Sequence, residues 1–187
     1  ELSESEFNER INKPTMTTDS YGTKEWYLNG ELHRTDGPAV KHINGINEWW
    51  LDNKRHRTDG PAVEDINGYK EWYLNGELHR TDGPAIELAN GTKEWWLNGE
   101  RHRTDNPAIE DPDGSKYWYL NGKLHRTDGP AIEYADGIKE WYLNGKKLSE
   151  SEFNERMNKP DNIENAIATN AVIVINGKSY RLVPILA

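Results

Sequence analysis

The chain contains no cysteine, which excludes disulfide bonds and thiol chemistry and is typical of a cytosolic protein. No run of about 18 apolar residues occurs, so no membrane-spanning helix is predicted. Apolar residues make up only 34% of the chain, which is below the usual share in a globular domain.

Basic residues are scarce relative to acidic ones: 23 Lys and Arg stand against 32 Asp and Glu, and the net charge is −9. That balance argues against sequence-independent nucleic-acid binding, which requires cations to displace counterions. It also argues against docking on anionic membrane surfaces. The eight Trp and nine Tyr exclude plain disorder, because disordered acidic chains contain few aromatic residues.

A period of 23 residues organises the middle of the chain. The motif W-[YW]-L-[ND]-[GN] recurs without insertion or deletion at Trp26, Trp49, Trp72, Trp95, Trp118 and Trp141, which we call the first Trp column. The motif H-R-T-D-[GN]-P-A recurs with the same spacing from His33, His56, His79, His102 and His125. This regularity predicts a repeat array over residues 20–147, in which neighbouring units together supply the core that no unit can form alone.

Two turn signals, mostly Asn-Gly, divide each unit into short strands. Asn-Gly favours a two-residue type I′ turn, which requires two positive φ angles. Such a turn at Asn67-Gly68 would pair Val63 with Trp72, so that these two share one face of the sheet and Tyr73 lies on the other. Asn106 replaces the Gly of T-D-G-P and is predicted in the left-handed region, which Asn tolerates best among non-glycine residues.

These patterns predict a mainly β fold: an elongated, single-layer, twisted antiparallel sheet of stacked β-hairpin repeats with short helical end segments. LSESEFNERINKP at 2–14 recurs as LSESEFNERMNKP at 148–160, and Ser149 with Glu152 has the capping-box spacing. Helical cap segments are therefore predicted at 1–14 and 148–160, followed over 161–187 by a linker and a hairpin around Asn176-Gly177. The first copy begins where a W-Y-L-N-G motif would have ended, so we expect the natural chain to continue upstream.

The unit resembles a MORN-type repeat, which is also 23 residues long. Trp118, Asn121-Gly122, His125, Ile132-Glu133-Tyr134 and Asp136-Gly137 follow the order of that family's pattern. The resemblance covers residues from about 20 to 147 and is closest to divergent arrays of bacterial, phage and giant-virus proteins. It implies a scaffold or protein-binding module, some relatives also contacting lipid. The family has H-G-x-G where this chain has H-R-T-D-G-P, and this change, with the charge of −9, argues against lipid binding.

The histidines of the H-R-T-D motif, which we call the His column, are candidate metal ligands. Each of these motifs carries His and Asp three residues apart, as in His79 and Asp82. Two strands per unit place equivalent His residues about 10 Å apart, whereas zinc–ligand bonds are about 2.0–2.3 Å long. We therefore predict no metal site and no cofactor, with His packing over the neighbouring Trp and Asp capping the turn before Gly-Pro. No nucleophile, zinc-protease or P-loop motif occurs, so no catalytic residue is predicted and the protein is not expected to be an enzyme.

A second aromatic position follows the first Trp in every unit. This second aromatic column consists of Tyr27, Trp50, Tyr73, Trp96, Tyr119 and Tyr142. Aromatic side chains with polar tips are enriched at interfaces, and interface energy concentrates in central Tyr, Trp and Arg residues. We expect a partner to dock across the middle of this column, with Glu71 and Glu94 setting its orientation. Burial of both aromatic columns in the core would produce the same pattern.

The sequence thus predicts a non-enzymatic repeat protein that binds a protein partner in the cytoplasm. The most specific form of this hypothesis is a phage-encoded inhibitor of a host defence protein, acting in the host cytoplasm. One alternative is an acidic DNA mimic that inhibits a nucleic-acid-binding protein, and another is a structural or adhesion array. Direct nucleic-acid and membrane binding are not expected, and the partner's identity and the oligomeric state stay open.

Overall fold

The structure, a computed structural model, describes residues 13–158 and the backbone of two later strands at 172–175 and 178–181. It confirms a mainly β fold built from stacked antiparallel hairpins in one long sheet. The predicted helical segment at 1–14 lies outside the described residues except for its last two positions, as does the predicted linker that follows residue 160. We number the units one to six by their member of the first Trp column.

Most strands are only two residues long, because each unit turns twice. The first half of the array contains β1 Thr15–Thr18, β2 Lys24–Leu28, β3 Glu31–Leu32, β4 Val40–Lys41, β5 Asn47–Glu48, β6 Trp50–Leu51, β7 Lys54–Arg55, β8 Val63–Glu64, β9 Lys70–Glu71, β10 Tyr73–Leu74 and β11 Glu77–Leu78. The second half contains β12 Ile86–Glu87, β13 Lys93–Glu94, β14 Trp96–Leu97, β15 Glu100–Arg101, β16 Ile109–Glu110, β17 Lys116–Tyr117, β18 Tyr119–Leu120, β19 Lys123–Leu124, β20 Ile132–Glu133, β21 Lys139–Leu143 and β22 Lys146–Leu148.

Fourteen of the described strands form the main sheet. Its order is β1-β2-β4-β5-β8-β9-β12-β13-β16-β17-β20-β21-β22, with β3 beside β2. The order follows the chain, and each complete unit contributes two neighbouring strands. The pairs β6–β7, β10–β11, β14–β15 and β18–β19 form short hairpins beside it. One unit is therefore two strand spacings, or about 9.6 Å, from the next.

The Asn-Gly turn after the W-Y-L motif has the predicted type I′ geometry. Asn75 and Gly76 have φ angles of 54° and 89°, and Leu74 lies opposite Glu77 across this two-residue loop. Asp52 and Asn53, which replace Asn-Gly in the second unit, also have positive φ angles of 50° and 57°. The backbone conformation therefore selects the residues at this turn.

The predicted register of the other turn is wrong by one residue. Val63 lies opposite Glu71 rather than Trp72, because the loop at Ile66-Asn67-Gly68 has three residues instead of two. Of the Asn-Gly pair only Gly68 has a positive φ, and the Asp65 Oδ1 accepts the backbone N–H groups of Asn67 and Tyr69 at 2.8 and 2.9 Å. Units with His42, Leu88 or Tyr134 in place of Asp65 have the same three-residue loop, so the shared feature is the left-handed Gly. A type I turn closed by a left-handed Gly is the usual three-residue hairpin loop.

The corrected register exchanges the faces of the two aromatic columns. Directly opposed residues share a face of the sheet, so Val63 lies with Glu71 and, by alternation, with Tyr73. Trp72 lies on the opposite face with the alanine of the strand. A shift of one residue moves every side chain to the other face, which is why one misjudged turn reversed the prediction.

The core consists of two rows of small side chains inside this single layer. On the face of the first Trp column, alanines are completely buried at Ala39, Ala62, Ala85, Ala108 and Ala131. On the other face, β-branched residues that are at most 9% exposed occupy Val40, Val63, Ile86 and Ile132. Each row is covered by long side chains of its own face, because the described residues include no second layer.

A helix, α1, covers the end of the array over Glu150–Met157 and lies against β21 and β22. Its capping box is the one predicted, with Ser149 accepting from the Glu152 backbone and the Glu152 side chain accepting in return. Leu148 and Phe153 are 5% and 4% exposed, so the helix is docked through them. Beyond it, β23 Val172–Ile175 and β24 Lys178–Arg181 pair as the predicted hairpin, with Ile175 opposite Lys178.

Candidate functional site

The second aromatic column lies along one face of the array, and all six of its side chains are half-buried. In four of the six, the polar tip of the side chain donates a hydrogen bond to the glutamate two residues earlier. Trp50 and Trp96 donate their indole N–H to Glu48 and Glu94 at 3.1 and 2.9 Å. Tyr27 and Tyr142 donate to their own preceding glutamates at 3.0 and 2.8 Å. These four rings are thereby fixed in orientation within the array.

Two arginines, which we call the clamp arginines, bridge successive rings of this column. Arg55 places its guanidinium 5.3 Å from the Trp50 ring and 5.4 Å from the Tyr73 ring of the next unit, within cation–π range. Arg101 repeats the arrangement at 4.8 and 5.5 Å from Trp96 and Tyr119. The clamp arginines therefore join units two with three and four with five.

The clamp reveals a double period that the repeat analysis missed. Trp50 and Trp96 lie opposite the clamp arginines, whereas the tyrosines of units one, three and five lie opposite leucines. Those leucine pairs are Tyr27 with Leu32, Tyr73 with Leu78, and Tyr119 with Leu124. The alternation of Trp and Tyr with Arg and Leu was visible in the sequence and would have identified the clamp.

The glutamates of this face serve as internal partners. Glu48 is 9% exposed and accepts from Trp50 and Arg55, with His42 Nε2 at 2.8 Å. Burial alone would raise the pKa of Glu48, but the hydrogen bond to His42 and the charge of Arg55 outweigh it and lower that pKa below its usual value. Burial also raises the pKa of the Tyr73 hydroxyl, reinforced by the charge of Glu71. Glu48 is consequently held as a carboxylate within this network.

Glu71 and Glu94, predicted to orient a partner, lie in the same row of glutamates. Glu94 accepts from Trp96 and from Arg101 Nε at 3.0 Å, and Glu71 lies 3.8 Å from Arg55. Their side chains are only 13% and 14% exposed. Their contribution to partner binding stays a prediction, but the structure already gives both side chains a role in positioning the second aromatic column.

The first Trp column lies on the opposite face and is covered by arginines rather than histidines. The loop arginines of H-R-T-D stack on the Trp eight residues earlier, with guanidinium-to-ring distances of 4.2, 3.9, 3.9, 3.8 and 3.9 Å from unit one to unit five. These residues are Arg34, Arg57, Arg80, Arg103 and Arg126. Each also donates to the carbonyl of the following proline at 3.0–3.3 Å. The prediction that His packs over Trp is therefore corrected.

The histidines instead join each unit to the type I′ turn of the next. The backbone N–H groups of Asn75, Asn98, Asn121 and Asn144 donate to the Nδ1 atoms of His56, His79, His102 and His125 at 3.0–3.3 Å. His33 lies 2.7 Å from Asp52 at the corresponding position. These contacts give the His column a structural role. Within the described residues, no group of three His, Asp or Glu side chains could hold a metal ion.

Four grooves, the inter-loop grooves, open between successive H-R-T-D loops. Their volumes are about 470 to 590 Å³, and each has the same construction. The floor is the first Trp and the Leu of one unit, and the walls are the Arg-Thr-Asp segments of that unit and the preceding one. The groove of the third unit, for example, has Trp72 and Leu74 as its floor, with Thr58 and Thr81 in its walls. Sequence reasoning missed this row.

The rims of the grooves carry exposed carboxylates. Asp59 and Asp82 each accept from the loop arginine two residues earlier at 2.8 Å, yet their side chains are 81% and 80% exposed. The hydrogen bond and the charge of Arg57 and Arg80 lower the pKa of these carboxyl groups. Each rim carboxylate is thus charged and open to a second cation from solvent. The loop aspartates were predicted to cap the turn before Gly-Pro. In the structure they instead form ion pairs with the loop arginines.

Asn106 departs from the pattern, but not through its backbone. Its φ is not positive, so the predicted left-handed conformation is wrong. Glycine is favoured at this position because a Cβ on Gly83 would come within 2.9 Å of the Arg80 guanidinium carbon. In the described loops with Gly, arginine Nε binds Asp at 2.7–2.8 Å, whereas in the Asn106 loop no ion pair joins Arg103 to Asp105. Asn106 thus displaces the arginine from its aspartate.

No protein-family model matches the chain, and no curated protein matches it significantly. The MORN resemblance therefore stays a prediction from the repeat pattern. In the part of the chain that the structure describes, no helix is long and apolar enough to cross a membrane.

Proposed function

We propose that this chain is a non-enzymatic repeat array that binds a protein partner along its repeated surface. The observation that carries the proposal is the row of inter-loop grooves, which offers the same Trp and Leu floor in four successive units. The rim carries a paired carboxylate in each loop that has Gly before its Pro. A partner that contacts several units gains area without needing one deep pocket, as is usual for repeat proteins.

The contrast between the two faces favours the grooves over the second aromatic column. On the column face, the indole of Trp96 and the carboxylate of Glu94 are already bonded to each other and to Arg101. On the groove face, Thr58 and Thr81 are exposed and the rim carboxylates are open to solvent. Docking on the column stays the competing prediction, and the experiment below distinguishes the two.

The rim chemistry also supports a protein partner over the DNA-mimic alternative. A mimic needs a row of uncompensated negative charges, whereas Asp59 and Asp82 are each paired with a loop arginine. The narrower proposal, a phage-encoded inhibitor of a host defence protein, is supported by the phage-like repeat unit alone. Identification of the partner is its test.

The test is capture of partners from an extract of the native host cell on the immobilised full chain, followed by quantitative mass spectrometry. Thr81→Trp fills two neighbouring grooves, because Thr81 lines both. Thr17→Trp, at an exposed position of β1 outside the grooves, is the matched control. Tyr73→Ser combined with Trp96→Ser removes the middle of the column. Circular dichroism and denaturation must first show that each variant is folded.

A protein enriched by the wild type and by Thr17→Trp, and lost with Thr81→Trp, supports docking in the grooves. Loss only with the column variant moves the site to the second aromatic column. If the wild type enriches no protein over blank resin, the proposed function fails.

A further inference from the structure

The inter-loop grooves have a spacing that selects one backbone conformation for a ligand lying along them. Neighbouring units are two strands apart in the sheet, so equivalent grooves lie about 9.6 Å apart. A polyproline II helix advances about 3.1 Å per residue with three residues per turn, so residues that face the same way recur about every 9.3 Å.

Other regular conformations fit this spacing less well. In a β-strand, residues three apart point to opposite sides, and like-facing residues recur about every 6.7 Å. An α-helix returns to nearly the same face after seven residues, or about 10.5 Å. Across the three steps that join four grooves, the helix is out of register by nearly 3 Å, and polyproline II by about 1 Å.

The groove floors suit a proline ring or another compact apolar side chain. Each floor combines the first Trp with the Leu two residues later, as Trp72 and Leu74 do in the third unit. Aromatic-lined grooves are the usual receptors for polyproline II segments, whose preformed backbone loses little entropy on binding. The floor therefore accepts one residue in three, and the other two point toward the rims.

The rims favour cationic residues at those outward positions. Asp36, Asp59, Asp82 and Asp128 are 79%, 81%, 80% and 80% exposed, so each leaves most of its side chain open to solvent while it pairs with its loop arginine. The net charge of −9 attracts a cation from further away. Four of the five loop arginines are occupied by Trp, Asp and the proline carbonyl, as Arg80 shows. Arg103 is occupied by Trp95, Glu110 and the Pro107 carbonyl, so an anionic segment finds no comparable partner.

We propose that the inter-loop grooves bind a proline-rich, cationic polypeptide segment in the polyproline II conformation, with one residue in three entering each groove. This inference rests on the proposed function, since it names the chemistry of the partner for the same surface. Each further triplet of the ligand then occupies one further groove along the array.

The test is fluorescence anisotropy with labelled synthetic peptides and the full chain. The probe is four Pro-Pro-Lys triplets, long enough to span the four grooves. Its controls are four Pro-Pro-Glu triplets, a peptide of the same composition with its lysines grouped at one end, and a helical alanine-based peptide with the same number of lysines, placed every seven residues. A two-triplet probe tests the contribution of each unit.

We expect the Pro-Pro-Lys probe to bind at least about tenfold more tightly than each control, because only it matches both the spacing and the charge of the grooves. The two-triplet probe should lose about tenfold or more, because fewer grooves act together. Thr81→Trp should weaken binding about tenfold and Thr17→Trp should leave it unchanged. Asp59→Asn with Asp82→Asn should weaken binding and reduce its salt dependence.

Equal binding of the Lys and Glu peptides, or of the probe and the grouped-lysine peptide, overturns the inference. If the helical peptide binds more tightly than the Pro-Pro-Lys probe, the inference is also overturned, and the ligand of the grooves is a helix rather than a polyproline II segment. If none of these peptides binds while a captured partner still depends on Thr81, the inference fails and the proposed function stands. If no partner is captured either, both fail.

Discussion

The two faces of the sheet use the same kinds of residue to different ends. On the groove face, Arg80 stacks on Trp72 of its own unit, and the contact recurs in units one to five at 3.8–4.2 Å. On the column face, Arg55 touches Trp50 of one unit and Tyr73 of the next, and the contact occurs only at alternate junctions. The comparison teaches that the first face stabilises each unit, whereas the second joins units in pairs. The predictions below challenge that division, beginning with the largest expected effect.

Removing a ring from the first Trp column should cost the most. Trp72→Ala deletes the surface beneath Arg80, and we expect a loss of about 2–4 kcal/mol, since a fully buried Trp loses about 3–5 and this one is half-buried. Tyr73→Ala, its neighbour on the other face, should lose about 1–2 kcal/mol. Urea denaturation followed by circular dichroism measures both. Equal losses would show that the faces do not differ as described.

Breaking one clamp should cost somewhat less. Arg55→Leu gives the second unit the leucine of the odd-numbered units and leaves the buried Glu48 carboxylate without its guanidinium, at an expected cost of about 1–3 kcal/mol. Adding Glu48→Gln removes the uncompensated charge and should recover part of that loss. Chemical denaturation of the two variants checks this. A double variant no more stable than Arg55→Leu alone would contradict the clamp.

Acid should weaken the column face through Glu48. Its pKa in the folded protein is lowered from 4.5, so the stability it contributes is complete above that pH and is lost as the pH falls below it. Rim carboxylates such as Asp59 act in the same direction, so the useful readout is the difference between wild type and Glu48→Gln. That difference should shrink as the pH is lowered below about 4.5. If the difference in unfolding free energy between wild type and Glu48→Gln stays constant until acid unfolds the protein, the Glu48 carboxylate does not contribute to this pH dependence.

The smallest effect concerns the loop glycine. Gly83→Asn should push Arg80 away from Asp82, because a Cβ there would meet the guanidinium at 2.9 Å. The pKa of Asp82, now held down chiefly by its hydrogen bond to Arg80, should then rise toward 3.8. NMR titration of the Asp82 carboxyl reports this directly, with Asp59 in the unchanged loop as the internal control. An unaltered Asp82 pKa would mean that Asn at this position does not displace the loop arginine, and that Asn106 is not the reason why Arg103 and Asp105 are unpaired.

Local signals in the sequence were sufficient for much of the fold. The period of 23, the type I′ turn at Asn75-Gly76 and the capping box of Ser149 were all predicted, because each depends on residues close together in the chain. The register at Asn67-Gly68 was not, because an Asn-Gly pair fits both a two-residue type I′ turn and a three-residue loop in which only the Gly is left-handed. That one-residue difference in loop length reversed the assignment of both faces.

The candidate site was less accessible to sequence reasoning. The stacking of Arg80 on Trp72 depends on how an irregular loop folds back over eight residues, which no periodicity encodes. The grooves exist only between two such loops, so they appear only when units are stacked in space. The clamp was different, since the alternation of Trp with Arg and Tyr with Leu was present in the sequence.

The alternating clamp has a mechanical consequence. Arg55 ties unit two to unit three and Arg101 ties four to five, whereas Leu78 occupies the equivalent place between three and four. Under tension along its length, such a ribbon should not yield one hairpin at a time. It should part first at the three leucine junctions, which lie between units one and two, three and four, and five and six, and then release the clamped pairs of units. The array would therefore behave as short rigid links joined by compliant leucine hinges, able to bend around a curved object without losing its order.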